Sequence, residues 1–219
     1  MSEPALSVVV PVFNERDNIA PLVTEIVAAL RGVTPFEIVY VDDASKDDSF
    51  EVLRGLMATV PELRVLRHRA QSGQSTAIRT GVKAARDAAP PQRRLFAGWR
   101  VNRQDSGSKR WASKVANAIR SRLLNDETPD TGCGIKLFDR AVFLDLPYFD
   151  HMHRYLPALF RRAGYECVSV PVNHRARSAG VSKYNNLPRA WVGLADLRGV
   201  GWLIKRAKVT GADEIARGA

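Results

Sequence analysis

"FEIVYVDDASKDDS", residues 36–49, decides the fold. Phe36 to Val41 has the apolar, valine-rich character of a strand buried in a parallel sheet. It runs straight into Asp42 and Asp43, followed by a turn at Ala44-Ser45-Lys46-Asp47. A carboxylate at the end of a buried strand is costly unless it accepts hydrogen bonds or faces solvent. Two readings stay open for the pair. Either the acids cap the loop and the next helix through Asx turns, or one accepts from a base N–H or a ribose hydroxyl.

The neighbouring residues extend the pattern in both directions. Leu6 to Val12 reads as the first strand, and the next helix is expected to be capped by Asp17 or Asn18, with Pro21 in its first turn. Ile19, Leu22, Ile26, Val27 and Leu30 would form that helix's buried face. Phe50, Val52, Leu53 and Leu56 make a second helix, Leu63 to Leu66 a third strand and Ser75 to Arg86 a third helix. Its packed side would be Ala77, Ile78, Gly81, Val82 and Ala85. Three strand–helix alternations argue for a βαβ-type parallel sheet. Ligands of such sheets bind beyond the C-terminal strand ends, where Asn14, Glu15, Asp42 and Asp43 would lie.

The second half is less regular. A very short strand is expected at Leu95 to Ala97, a helix at Trp111 to Leu124 and a shaped loop at "DTGCGIK" (130–136). A helix follows at His153 to Ala163 and a strand at Cys167 to Val172. "NHRARSAGVSKYNN" (173–186) has the composition of a mobile binding loop, and Leu187 to Lys208 reads as one broken helix or two.

At 219 residues the chain is large enough for one domain with a sizeable core. The net charge of +10 suits nucleic acid, nucleotide, phosphate or an anionic membrane without choosing among them. With only Cys133 and Cys167 and no CxxC, a structural zinc is not expected, and a reducing compartment is. The opening residues read as a strand rather than a signal peptide, and no stretch approaches the length of an apolar span.

Arg100, Arg103, Lys109 and Arg110 form one basic stretch, and Arg175, Arg177 and Lys183 another. Each is either a solvated face or a phosphate site, for which Arg supplies a planar fork and Lys a mobile point charge. There is no GxxxxGK[ST], so a P-loop is excluded. Asp130, before Gly132-Cys133-Gly134, is a turn acceptor or a carboxylate near a reacting centre. His151 and His153 would need distant partners to hold a metal. Trp191, Trp202, Leu203 and Ile204 beside Lys205, Arg206 and Lys208 fit a membrane interface or a helix packed on its own domain. A basic nucleic-acid-binding protein is a further alternative, although helix-turn-helix, zinc and RNP signatures are absent.

"VVVPVFNERDNI" (8–19), "IVYVDDASKDDS" (38–49) and "GQSTAIRTGVKAAR" (73–86) together resemble the inverting family 2 glycosyltransferases, in the branch of dolichol- and undecaprenyl-phosphate sugar transferases. The resemblance continues through "GWRVNRQDS" (98–106), "PDTGCGIKLFDR" (129–140) and "VPVNHRARSAGVSKYNN" (170–186). It implies an α/β, GT-A (Rossmann-like) fold, a mostly parallel sheet with helices on both faces. That domain would span residues 1–198, with a basic amphipathic tail at 199–219.

The resemblance further implies that Pro11, Asn14, Glu15, Asp42, Asp43, Gln74 and Arg79 bind the nucleotide-sugar, with Asp43 on the base. Arg100, Arg103 and Asp130 would lie at the reacting centre, and Arg175 and Lys183 at the lipid phosphate. The implied partners are a nucleotide-sugar donor, a polyprenyl phosphate acceptor and an anionic membrane surface. A homo-oligomer is compatible, nucleic acid is not expected, and the location would be cytoplasmic, peripheral on the membrane.

One part of the family pattern is missing. Relatives hold Mg²⁺ or Mn²⁺ with a D-x-D motif that ends a further strand and precedes a further helix. Here Arg86 leads through "DAAPPQRRLFAGW", and no D-x-D occurs in the chain. At ordinary element lengths the gap, near residues 87–93, amounts to roughly 30 residues. An inactive GT-like module that associates with membranes or other proteins is therefore an alternative to an active transferase.

Overall fold

The computed structural model describes residues 3–86, 94–101, 120–124, 126, 128–173 and 186–207, with side chains from residue 192 onward in the last of these. The chain forms two compact units. The first comprises Met1–Gln92, Phe138–Arg154 and Asn173–Tyr184; the second comprises Arg93–Leu137, Tyr155–Val172 and Asn185–Ala219.

In the first unit, β1 (Leu6–Val12), β2 (Phe36–Asp42) and β3 (Leu63–Arg67) alternate with α1 (Arg16–Leu30), α2 (Ser49–Leu56) and α3 (Gln74–Ala84). The sheet order is β1-β2-β3, all parallel, with Leu6 opposite Phe36, Val12 opposite Asp42 and Asp42 opposite Arg67. Because side chains alternate along a strand, β2 feeds both faces. Ile38 and Tyr40 join Val12, Ile19, Val23, Leu53 and Leu63 in one core cluster; Val39 and Val41 join Ala77 of α3 in another. Gly81 lets α3 lie this close, since a Cβ there would sit 2.4 Å from Val9 Cγ1.

The helix boundaries depart from the sequence expectation in instructive ways. α1 starts at Arg16 after Glu15, so neither Asp17 nor Asn18 is its cap, and Glu15 makes no side-chain cap bond. Pro21 consequently lies inside the helix and removes one internal hydrogen bond. Val23 is buried on α1, whereas Leu22 is exposed.

At the N-terminal end of this sheet, Glu37 is almost fully buried. It accepts from Ser7 Oγ (2.8 Å), Arg64 Nη1 (2.6 Å), the Arg86 backbone N–H (2.6 Å) and Arg86 Nε (3.1 Å). Burial raises its pKa, but the bonds from Arg86, Arg64 and Ser7 outweigh it and hold the carboxyl below its ordinary value. After residue 137 the chain returns to this unit as α4 (Arg140–Asp145), capped by Asp139 accepting from the Val142 N–H at 2.9 Å. Arg140 donates to the carbonyls of Val82 (2.8 Å) and Lys83 (2.9 Å), satisfying the C-terminus of α3.

In the second unit, β4 (Arg94–Val101) lies between β5 (Lys136–Leu137) and β6 (Glu166–Asn173). β4 is eight residues long, well beyond the expected Leu95–Ala97, because it has partners on both sides. β5 pairs antiparallel with it, Phe96 opposite Leu137. Residues 120–124 are helical; the rest of the expected 111–124 helix lies outside the described residues. The expected 153–163 helix begins as a 3-10 turn, Met152–Arg154, before α5 (Leu156–Arg162), whose residues Leu156 to Phe160 are all buried. α6 runs unbroken from Asn186 to Lys205, through the 198/199 boundary. It is tied to this unit by Tyr155 Oη donating to Gly193 O (3.2 Å) and Arg162 Nε to Leu203 O (3.0 Å). Among the described residues no helix is long and apolar enough to cross a membrane.

Candidate active site

The C-terminal ends of β1 and β2 are laced together by their own loops. Asn14, with φ of 52°, donates its N–H to Ser45 Oγ (3.0 Å) and accepts from the Lys46 N–H at Oδ1 (2.7 Å). The Glu15 N–H donates to Ser49 Oγ (3.1 Å), and the Arg16 N–H to Asp47 Oδ2 (3.4 Å). Burial raises the Asp47 pKa, but hydrogen bonds from the Ser49 side chain and from nearby amides bring it below its ordinary value. Both loops are thereby held before any ligand arrives. Pro11, opposite Val41 in the ladder, lies within β1 immediately before this network.

Asp42 and Asp43 are both buried, with different work to do. Asp42 Oδ1 accepts from the Ser45 N–H (3.0 Å), and Oδ2 lies 3.1 Å from Arg67 Nε. Arg67 in turn stacks on Phe50, 4.3 Å from the ring centroid. Asp43 Oδ1 accepts from His68 Nδ1 (2.7 Å) and the Ser72 N–H (2.8 Å), while Oδ2 accepts from the Gly73 N–H (2.8 Å). A carboxylate can only accept, so His68 carries a proton on Nδ1; Nε2 meets Thr80 Oγ1 at 2.9 Å. Asp43 thus orders the entry to α3, where Gly73 takes φ of 87°, a conformation glycine adopts without penalty.

Gln74 opens α3 and is exposed, whereas Ser75 is buried against His153 Nδ1 (2.8 Å). Arg79 is half-buried. Its guanidinium lies 4.9 Å from the Tyr148 ring centroid, and Nη2 reaches Leu144 O at 3.5 Å.

The second unit brings Arg100 and Asp130 together. Arg100 Nε donates to Asp130 Oδ2 (2.7 Å) and Nη2 to Oδ1 (3.0 Å), a bidentate fork. A second buried pair supports the same loop: Arg120 Nε lies 2.9 Å from Asp126 Oδ2, and Arg120 donates to Thr131 Oγ1 (2.5 Å) and Thr128 O (2.5 Å). Lys136 donates to Thr131 O and Cys133 O from inside the loop, and burial pushes its pKa down. Gly98 makes room for Cys133, since a Cβ at 98 would stand 2.9 Å from the Sγ. Arg103, Arg175 and Lys183 lie outside the described residues.

Spacing alone does not point to the Asp43–His68 contact or to Arg120, Asp126 and Lys136 around the 130–136 loop. Their partners lie on other segments, and only tertiary packing unites His68 with Asp43. The described residues do not gather into a site for a divalent ion. Asp42, Asp43, Asp126 and Asp130 already accept from cations or amides, and among the described residues no three His, Cys, Asp or Glu side chains gather to hold one.

Residues 7–89 match the family model "Glycosyl transferase family 2". The dodecaprenyl-phosphate galacturonate synthase of Rhizobium johnstonii is 29% identical over 230 residues, a match taking in 91% of this chain and 67% of that protein. An undecaprenyl-phosphate 4-deoxy-4-formamido-L-arabinose transferase of Pseudomonas savastanoi is 32% identical, over 82% of this chain and 60% of its own length. Among solved structures, a mannosyltransferase from Pyrobaculum calidifontis in complex with GDP-Man and Mn²⁺ superposes with a TM-score of 0.60 at 17% identity, covering 97% of this chain and 67% of that one. Glucosyl-3-phosphoglycerate synthase from Mycobacterium tuberculosis, with Mg²⁺ and UDP, also gives 0.60, at 16% identity over 95% of this chain and 81% of that one. The fold is therefore the α/β, mostly parallel arrangement with flanking helices of these GT-A proteins. Residues 7–89 are thus similar to the family 2 glycosyltransferases, and the chain as a whole is similar to two proteins named for a polyprenyl phosphate. It spans 60% to 67% of the length of these two curated relatives.

Proposed function

We propose that the chain has the framework of an inverting transferase that moves a sugar from a nucleotide-sugar to a polyprenyl phosphate in envelope or lipopolysaccharide glycan synthesis. The observation that carries this reading is the pair of cross-bonded loops ending adjacent parallel strands, around Asn14, Glu15, Asp42 and Asp43. Ligands of parallel α/β sheets bind at such strand ends. Both curated relatives named above have a polyprenyl phosphate in their names, which supports the acceptor class.

In the reaction, a phosphate oxygen of the lipid attacks the anomeric carbon as the bond to the nucleoside diphosphate breaks. The configuration inverts, and the diphosphate leaves with the bonding pair. The nucleophile is already anionic, so no strong base is required. The residues instead have to hold two polyanions together and offset charge on the leaving group. Pro11, Asn14, Glu15, Asp42, Asp43, Gln74 and Arg79 are assigned to the nucleotide-sugar. Arg100, Arg103, Arg175 and Lys183 are assigned to phosphate. The tail from residue 199, with Trp202 exposed and Arg206 beside its ring, is assigned to an anionic membrane surface at the cytoplasmic face.

We further propose that an internal segment bearing the metal-binding acids is missing between Arg86 and Arg94. A match of 230 residues is longer than the whole 219-residue chain, so the galacturonate synthase carries positions with no counterpart here. Among the described residues β1 pairs with β2 alone, and Leu6 to Pro11 are only half-buried, as at a sheet edge. The exact 219-residue chain is therefore expected to bind nucleotide weakly and transfer little or no sugar. The test is conversion of a labelled nucleotide-sugar to lipid-linked sugar, comparing this chain with one carrying a restored strand, acidic motif and helix. Recovery of metal-stimulated transfer, by about 100-fold or more, is expected, since a divalent ion stabilises leaving-group charge in the transition state. Equal, chelator-insensitive turnover by both chains would overturn the missing-segment reading.

A further inference from the structure

We propose that the loop Asp130–Lys136 is a phosphate-recognition loop built from exposed glycine amides and Arg100, and that Asp130 is a positioning residue for that arginine rather than a reacting group. The inference rests on the proposed transferase reading for the identity of the phosphate, not for the geometry.

The carboxylate and the guanidinium of the pair differ in access. The Asp130 side chain is 7% exposed and the Arg100 side chain 24%, so a ligand arriving from solvent meets the cation. Asp130 grips the Nε edge of the fork at both oxygens, with the Arg100 backbone N–H a further 3.4 Å from Oδ2. A guanidinium held in this way has already lost the rotamer freedom that a flexible cation would lose on binding.

The loop backbone is set by the second cation. Lys136 Nζ lies inside and draws in the carbonyls of Thr131 and Cys133. In a trans peptide the carbonyl and the following N–H point in opposite directions. The amides of Gly132 and Gly134 are therefore directed away from Lys136. Gly132 and Gly134 are both exposed, while Cys133 between them is buried. Gly132 also lies against the arginine, since a Cβ there would be 3.2 Å from Arg100 Nη2; a Cβ at Gly134 would meet open space. Outward amides beside a fixed guanidinium make a concentrated donor set for phosphate oxygens.

The test uses the full chain and needs no turnover. Inorganic pyrophosphate and, separately, decyl phosphate are titrated into wild type, Arg100→Ala, Asp130→Asn and the double variant, by calorimetry and by amide NMR of Gly132 and Gly134. The expected result is a loss of about 10-fold or more in Kd for Arg100→Ala, the lower end of a charge-assisted contact. Asp130→Asn should lose a similar factor, and the double variant no more than either alone, because the aspartate acts through the arginine. Glycine amide shifts on titration should be present in wild type and reduced in both single variants. Whichever of the two anions binds more tightly assigns the loop to the leaving diphosphate or to a lipid monophosphate. Wild type that binds neither anion, Asp130→Asn with wild-type affinity, or additive losses in the double variant would each overturn the proposal. Anion binding without sugar transfer would leave it standing and count only against the transferase reading.

Discussion

Glu37 and Asp130 are both buried carboxylates gripped by arginine, one in each unit, and their surroundings differ. Four donors from three segments converge on Glu37, at the end of the sheet away from the strand-end loops. Asp130 is held in a bidentate fork by Arg100, which itself reaches solvent beside two exposed glycines. The first acid closes a structure, and the second aims a cation. The same ion-pair chemistry thus has structural or functional meaning according to what the arginine faces.

Removing Glu37 is the most forceful way to sharpen this comparison. Glu37→Ala should cost about 3 kcal/mol of stability, the low end for a broken buried pair, because Arg64 and Arg86 can both regain water. Its pH dependence has a definite sign. A carboxylate whose folded pKa is lowered contributes stability that is present above its unfolded pKa and is lost as pH falls through the folded value. Wild type should therefore lose stability below about pH 4.5, and the variant should lose less over that range. Urea unfolding at pH 7 and pH 3.5 measures both; equal slopes with pH would remove Glu37 from the account.

A smaller effect is expected where cations are proposed to meet ligand. Arg175→Ala and Lys183→Ala should each weaken binding of polyprenyl phosphate or nucleotide by about 1.5 to 3 kcal/mol while leaving the unfolding midpoint near that of wild type. Calorimetric titration decides it, and unchanged affinity for both ligands would make this stretch a solvated basic surface. The smallest effect concerns the tail. Deleting residues 199–219 should reduce flotation with anionic liposomes, each nearby basic side chain contributing about 1 kcal/mol. Negligible binding to anionic and neutral vesicles alike, with or without the tail, would end the membrane assignment.

Much of the first unit was legible as sequence. The period of Phe36–Val41, its acidic ending and the helical spacing after it place β2, α2 and the strand-end loops where they are found. The errors there are local. Pro21 and the α1 cap depend on where a helix starts, and several residues near Glu15 offer side chains suited to that role. The second unit was harder to read because its order comes from contacts distant in sequence. β4 is long because strands 35 and more residues away flank it, and that pairing leaves no period in the sequence.

The sequence by itself determined the parallel βαβ beginning, the excess of cations, the resemblance to polyprenyl-phosphate sugar transferases and the lack of a D-x-D. These follow from local residue order, which propensity, periodicity and motif spacing report directly. Only the tertiary structure decided the surroundings of each charged group. Asp43 accepts from His68 and from the α3 entry, Arg79 lies over the Tyr148 ring, and Asp130 pairs with Arg100. A carboxylate's role depends on which donors reach it and how far water is excluded, and both are set by segments that meet only when the chain folds.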